Sequence, residues 1–496
     1  MSVVVSDTLV PRVAAGTGLG PAMPSVVWRR LAYVYATLVV VGIGYFLFRM
    51  PFQLRDNLGL MVDAQQRTLW NILTEVDPGY VRPVLGGFVK IVFELSGGHY
   101  FLAYKTLHAI QVGLLLVLFV RLLDVRSSRD FAVSTLATTI LVGIHTFNGT
   151  IREGFPINTF MTILVCCLTA VNLSMSRPRP WVGWASVFLL VWAVFTVETG
   201  LLVWVCFIVA YVVGFRGLSK RVLIALTVVI GVYFLLRFVI MGAGTPALGY
   251  RQTGFGFSNR DPEQLLELFG EVPLLLYAYN IASSILSVLF SEPRAGIWAA
   301  SRSFLDGDLR DWQTVNIVSS FLATAVIGRF VWRRWRRWVA FDLEHGDRLV
   351  LLFLAVLGGN AVISYPYTKD VIMSPAGVFY ALAAYVAIRD FLESAQRRTF
   401  YPVRAVSIAL LLAVMSVTWC IRSVGNHYSL RSQAFLNSSD WTELDSWLQG
   451  RMDERQEPDA VALSKHLGDE VARKRVPNPY FGDRAAPGVI ALFDPH

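Results

Sequence analysis

The sequence predicts an all-α polytopic membrane protein of about eleven transmembrane helices, and three observations carry that expectation. The chain has 496 residues and a mean hydropathy of +0.52, with 55% of its residues hydrophobic and only 16% charged. A soluble domain carries nearer a quarter charged residues. The apolar residues gather in runs of about twenty, the length that spans a bilayer as a helix. Lysines and arginines then fall in alternate loops, as the positive-inside rule requires. Net charge is +9, but its placement matters more than its size.

The expected spans are 31–50, 100–121, 131–148, 156–176, 181–197, 199–215, 221–241, 313–331, 348–365, 372–389 and 404–423. Arg29 and Arg30 precede the first. Arg121, Arg126 and Arg129, then Arg177 and Arg179, then Arg216, Lys220 and Arg221 occupy later loops on the same side. Arg333, Arg334, Arg336 and Arg337 follow, and then Arg397, Arg398 and Arg404. The short opposite loops are poor in basic residues: 149–155 has Arg152 and 366–371 has Lys369. The N-terminus is therefore expected in the cytoplasm and the C-terminus outside. Residues 1–27 lack a basic region before a short apolar core, so they read as a flexible cytoplasmic tail and not a cleaved signal peptide. Residues 28–425 form the transmembrane domain, and 426–496 an extracytoplasmic C-terminal segment.

Two apolar segments, 83–96 and 272–290, fit the alternation best as interfacial or re-entrant helices on the outer side, in the first and the long outer loop; the full-span reading stays open for both. In the C-terminal segment, Asp440–Leu448 reads as an amphipathic helix capped by Ser439 or Asp440, and the segment is expected to pack on the outer loops. The cytoplasmic arginines 333–337 alternate with Trp332, Trp335 and Trp338, a topology anchor with an aromatic belt and not a nucleic-acid surface. Cys166, Cys167, Cys206 and Cys420 lie in or beside apolar spans and suggest no disulfide framework. No CxxC, HExxH or Walker-type loop occurs, and no metal or other cofactor is indicated, although a carboxylate at the membrane surface is able to hold a divalent ion.

The candidate chemistry sits in the outer turns. Asp56 and Asp63 follow the first span and would share one face of a helix. A carboxylate there can deprotonate an acceptor hydroxyl, or simply be solvated beside Arg55. Arg82 precedes Pro83, a residue suited to the first helical turn, so it would stand at a helix N-terminus that favours an anion such as phosphate. The alternative is an arginine reaching for lipid headgroups. Tyr104, Lys105, His108 and Gln111 line the outer end of the next span, and polar groups there should face the bundle interior. Glu198 sits in a tight apolar hairpin and needs a partner. His145, Arg152 and Glu153 fill a neighbouring outer turn, and Tyr365, Tyr367, Lys369 and Asp370 the last one. Their convergence on one side argues for a polar cavity at the outer face.

This arrangement resembles the GT-C superfamily of integral-membrane glycosyltransferases, which includes the protein O-mannosyltransferases and the lipid A aminoarabinose transferase. The matching motifs are Arg55–Asp56–Asn57 after the first span, Arg82–Pro83–Val84 opening a short apolar helix, His99–His108 entering the next span, Glu198 in Val197–Gly200, and Tyr365–Asp370. Asn57 stands where some members carry a second acid, and the first outer loop lacks the Asp-x-Asp of the oligosaccharyltransferase branch, which speaks against a metal-dependent reaction. The segment after 425 has no counterpart. The resemblance implies a polyprenyl-phosphate sugar donor taken from the outer leaflet of a bacterial inner membrane, and a glycan, lipid or protein acceptor. It implies Asp56 as base and Arg82, Lys369 and Arg251 as ligands of the donor phosphate. Asp63, Tyr104, Lys105, His108, Arg152, Glu153, Glu198, Tyr367 and Asp370 would line the cavity. The loop 242–312 would cover its lipid-facing opening. Other classes remain in view: a lipid-linked saccharide flippase or transporter, an O-antigen polymerase- or ligase-like enzyme, and a non-catalytic membrane scaffold.

Overall fold

The computed structural model describes residues 24–74, 81–152, 158–242, 262–270, 274–290, 297–366, 368–396, 402–451 and 458–474. Among them the architecture is helical throughout. In chain order the helices are α1 (Ser25–Leu47), α2 (Arg55–Gln66), α3 (Leu69–Thr74), α4 (Pro83–Leu95), α5 (Tyr100–Leu122), α6 (Ser128–Gly143), α7 (His145–Arg152), α8 (Thr159–Met175), α9 (Pro180–Val194) and α10 (Leu201–Val212). They continue as α11 (Lys220–Phe234), α12 (Pro262–Phe269), α13 (Leu274–Phe290), α14 (Ile297–Leu305), α15 (Asp311–Val339), α16 (His345–Ile363), α17 (Ser374–Gln396), α18 (Pro402–Asp440), α19 (Leu444–Arg451) and α20 (Pro458–Arg473). A π-helical turn, Leu235–Ile240, extends α11. Three 3₁₀ turns, Glu198–Gly200, Asp370–Met373 and Trp441–Glu443, lie between helices.

Local sequence explains where many of these begin. The side chains of Ser127, Asn158 and Ser219 accept from the backbone N–H groups of Asp130, Met161 and Val222, capping α6, α8 and α11. Pro83 and Pro180 occupy the first turns of α4 and α9, where no amide donor is missed. Gly214, at φ 98°, ends α10 in a backbone conformation that side chains disfavour.

Among the described residues, seven helices are long and apolar enough to cross a membrane, or up to nine if two bent pairs each count as one span. One pair is α6 and α7, bent by 59°. The other is α12 and α13, so the 272–290 segment belongs to a strongly broken unit. Helices α8, α9 and α10 are apolar but have only 17, 15 and 12 residues, short of the length that crosses a bilayer unaided. Helix α4, with 13 residues, is likewise too short to span.

Helix α17 is the centre of the bundle. In its apolar window 94% is buried, against 22% for α1 and 17% for α18. A helix apolar all round belongs in a core. Ala376, Ala381, Ala383, Ala384 and Ala387 keep its girth small, so that α6, α8, α15 and α16 approach closely.

The two ends of the bundle differ in chemistry. At the basic end, Arg334 pairs with Asp390 (2.9 Å) and Glu344 (2.8 Å), Arg337 with Glu344 (2.7 Å), and Arg389 with Asp130 (3.1 Å). The expected belt is only partly present. Trp332 and Trp335 are exposed, but Trp338 is buried and its indole N–H donates to Asp347 (2.9 Å). A second correction concerns the C-terminal segment. No helix opens at Ser439 or Asp440, because α18 continues through them from Pro402. Its C-terminal half finds partners on α7: Ser429 accepts from Asn148 and Gln433 from Arg152. Tertiary contacts thus carry the helix past the end of its apolar stretch. Helix α20 packs on α2, in the link that follows α1.

Close approach fixes one turn at the other end. A Cβ on Gly200 would enter the carbonyl of Ala193 at the end of α9. Gly200→Ala should therefore displace the Glu198 turn and cost about 1–3 kcal/mol. A lowered thermal midpoint in detergent checks this, with Gly231→Ala, which meets open space, showing no such loss.

Candidate functional site

Construction of the site starts at the N-terminus of α4. Arg82 is its N-cap residue and Pro83 its first helical residue. The Val84 N–H donates to the carbonyl of Phe195 (3.2 Å), tying the start of α4 to the end of α9. Three residues later the chain enters the 3₁₀ turn at Glu198. Arg82 Nη2 donates to Glu198 Oε2 at 2.6 Å. From the far side, Arg237 Nη1 donates to Glu198 Oε1 (3.0 Å) and to the Tyr233 hydroxyl (2.8 Å). Tyr233 packs edge-on against Phe195, ring centroids 5.7 Å apart. Arg237 stands on the π-helical turn after α11. Such single turns often mark functional positions.

Two guanidiniums converge on one carboxylate. The cluster is graded in depth. Arg237 has 8% of its side chain exposed, Glu198 24% and Arg82 30%, so it opens outward through Arg82. The Thr199 hydroxyl beside Glu198 is buried and has no partner among the described residues. Chemically, the arrangement is a fixed pair of guanidiniums whose shared carboxylate aligns both forks.

The polar stripe on α5 faces inward as expected. Tyr104 donates to the Val89 carbonyl of α4 (2.8 Å). Lys105 is buried, its ammonium 5.5 Å from the Phe52 ring centre and 5.6 Å from that of Phe101. His108 Nε2 faces the Asn158 amide at 3.5 Å, and that amide also donates to the carbonyl of Thr150 at the end of α7. Gln111 donates to Thr162 on α8 (2.8 Å).

A second group surrounds α7. His145 Nε2 lies 3.6 Å from Asp370 Oδ1, and Lys369 is the N-cap residue of the adjoining 3₁₀ turn. Arg152 donates to Gln433 of α18 (2.9 Å). The structure thus joins Arg82 with Glu198, His108 with the α7–α8 junction, and Asp370 with His145, as three neighbourhoods at one end of the bundle. Asp63 is exposed on α2 rather than turned into the interior. Asp56 lies in the first turn of α2, and its side chain is outside the described residues, as are Arg251, Glu153 and Tyr367. Asn57, next to it, is fully buried, and its amide has no partner among the described residues.

Sequence reasoning missed two residues. Arg237 and Arg422 were passed over inside apolar runs. Arg422 is buried, donates to Ser319 (3.0 Å) and Ser320 (2.7 Å), and stacks 4.2 Å from the Trp419 ring centre. The available signal was their position, since an ionisable residue within a span is expensive and marks function by default.

Fold and site together define a multi-pass helical membrane protein with a cluster of two arginines and a glutamate at one end. Comparison with protein families, with curated proteins and with solved structures finds no match for the chain.

Removing the carboxylate leaves two crowded guanidiniums. The loss should fall between the roughly 1 kcal/mol of an exposed pair and the 3–5 kcal/mol of a buried one. Glu198→Ala is expected to cost about 2–3 kcal/mol in detergent unfolding, and Arg237→Met to recover part of it. A pH effect follows from Lys474, which sits over the Phe101 ring at the end of α20. Burial pulls its ammonium down to about 8, with Glu470 opposing and Arg473 assisting. Between about pH 8 and the ordinary value of 10.5, the undocked segment binds more protons than the docked one. Docking of α20 should therefore strengthen as pH rises through that window. Protection of α20 from amide exchange reads this out, and Lys474→Met should flatten the dependence.

Proposed function

We propose that this protein is an inverting, GT-C-like glycosyltransferase that uses a polyprenyl-phosphate sugar donor and an acceptor hydroxyl at the outer face of the membrane. The single observation that carries the reading is the Arg82–Glu198–Arg237 cluster. It sets two guanidiniums on one carboxylate, begins at a helix N-terminus, and lies at the same end of the bundle as the helix that bears Asp56. A donor of this class presents a phosphate just below the membrane surface, and two aligned guanidiniums suit its oxygens.

In the reaction, the Asp56 carboxylate takes the proton of the acceptor hydroxyl as its oxygen attacks the anomeric carbon. The bond from that carbon to the phosphate oxygen breaks, and its electron pair leaves with the polyprenyl phosphate. The leaving group is already a weak base, so it needs charge stabilisation more than a proton. Arg82 and Arg237 supply it, and Glu198 holds them in register without neutralising both. Lys369 remains a second cation for the carrier or the acceptor. The topology proposed with this reading counts the α6–α7 pair, α8, α9 and α10 as spans beside the seven long helices, which brings the total to eleven, with the basic end in the cytoplasm of a bacterial cell and the C-terminal segment outside. The short spans are accommodated by local thinning of the bilayer around the bundle.

The test is sugar transfer by purified protein given a panel of polyprenyl-phosphate sugars and acceptors. Wild type is expected to turn over one donor, with Asp56→Asn inactive. Arg82→Gln and Arg237→Gln should each lower turnover by about a hundredfold. Undiminished turnover in Asp56→Asn would remove the assigned base. Flipping of an intact lipid-linked sugar across liposomes, without transfer, would replace the enzyme by the transporter.

A further inference from the structure

The link between α1 and α2 is held from outside by the far end of the chain. Helix α18 runs well beyond its apolar stretch, and its last turn brings Asn437 to the link. Asn437 Nδ2 donates to the carbonyl of Pro51 (3.1 Å), and Trp441 Nε1 to that of Phe52 (2.8 Å). Both donors are buried, Asn437 almost completely. These two carbonyls precede α2, so no helical amide is available to them, and a buried carbonyl without a donor is costly. Asn437 is itself aligned by Gln433, whose amide donates to its oxygen (2.7 Å). Helix α20 then lays Ala460, Leu463, Leu467 and Val471 into a small core with Phe52, Leu54, Leu58 and Met61, separate from the core of the bundle. One residue of this link, Phe52, also meets Lys105 and Tyr104 of the α5 stripe through its ring.

We propose that the C-terminal segment from Asn437 to Arg473 is a positioning element for the first outer loop, fixing the entry of α2 and with it the direction in which Asp56 is presented. Asn437 and Trp441 are its positioning residues, acting through the Pro51 and Phe52 carbonyls. This rests on the reading of Asp56 as the base, and it adds that the site is incomplete without the last part of the chain. The physical logic is pre-organisation. A base must be held within a fraction of an ångström of its proton; α4 supports the body of α2, where Lys90 donates to the Ala64 carbonyl, and the C-terminal segment supports its entry.

Two readouts on full-length protein in lipid nanodiscs test the proposal. Trp441→Phe keeps the ring and deletes the N–H; Asn437→Asp keeps the shape and the acceptor but loses the donor. In each, amide exchange of residues 53–60 is expected to accelerate about tenfold, while exchange in α17 stays as in wild type. In sugar transfer, kcat should fall about tenfold with the donor KM unchanged, because a displaced base weakens the chemical step and not donor binding. Unaltered exchange at 53–60 in both variants would overturn the proposal. Accelerated exchange with unaltered kcat would overturn the link to Asp56. The exchange readout does not depend on the enzyme reading, so a protein that transfers no sugar would sink that reading and still decide whether the segment orders the loop.

Discussion

Inside an apolar bundle no water is at hand, so every backbone group released by a break in a helix must be met by protein. This constraint organises the molecule. Where α6 turns into α7, the Val142 carbonyl takes the amide of Asn426 and the Thr139 carbonyl the hydroxyl of Ser423, both from α18. Where the chain leaves α16 and turns toward α17, Asn360 donates to the Ile372 carbonyl and accepts from the Ala376 N–H. Where α7 gives way to α8, Asn158 caps one helix and reaches the other. At the start of α2 the same service comes from Asn437 and Trp441. The breaks lie at the end of the bundle that carries the candidate site; those after α6 and before α2 are stitched by side chains distant in sequence, and the other two by asparagines near the break itself.

The charge cluster obeys the same rule with higher stakes. A lone Glu198 in an apolar hairpin, or a lone Arg237 inside a helix, would pay desolvation without return. Each makes the other tolerable. An asymmetric cluster of this kind differs from the network at the basic end, where Arg334 and Arg337 are shared among Glu344, Asp342, Asp347 and Asp390. There acids match bases and the arrangement is an anchor. At the other end two guanidiniums meet on the one carboxylate of Glu198.

Much of the site was legible as a set of residues and little of it as a geometry. Glu198 was expected to need a partner because of its surroundings, and Arg82 was expected at a helix N-terminus because Pro83 follows it; both are so placed. Their mutual pairing, 116 residues apart in the chain, has no sequence signal. Arg237 had one, an arginine inside an apolar run, but no periodicity says that the helix widens into a π turn there. Tyr104 and His108 face inward because four residues make about one helical turn and polar groups avoid lipid. Asp63 shares that spacing with Asp56 yet stays exposed, since α2 lies at the rim and not within the bundle.

By itself the sequence determined the class, because hydropathy and charge distribution are sums over local residues and the bilayer reads them locally. It determined helix starts at Ser127, Asn158, Ser219 and Pro180, where a cap or a ring acts within one turn. Tertiary structure decided what depends on contacts remote in the chain. It chose α17 as the central helix, carried α18 past its apolar stretch to Asp440, buried Trp338 out of the belt, and set Arg237 against Glu198. The reason is one of range: a cap needs only its neighbours, whereas a buried charge or a freed carbonyl is satisfied by whichever distant helix the packing brings beside it.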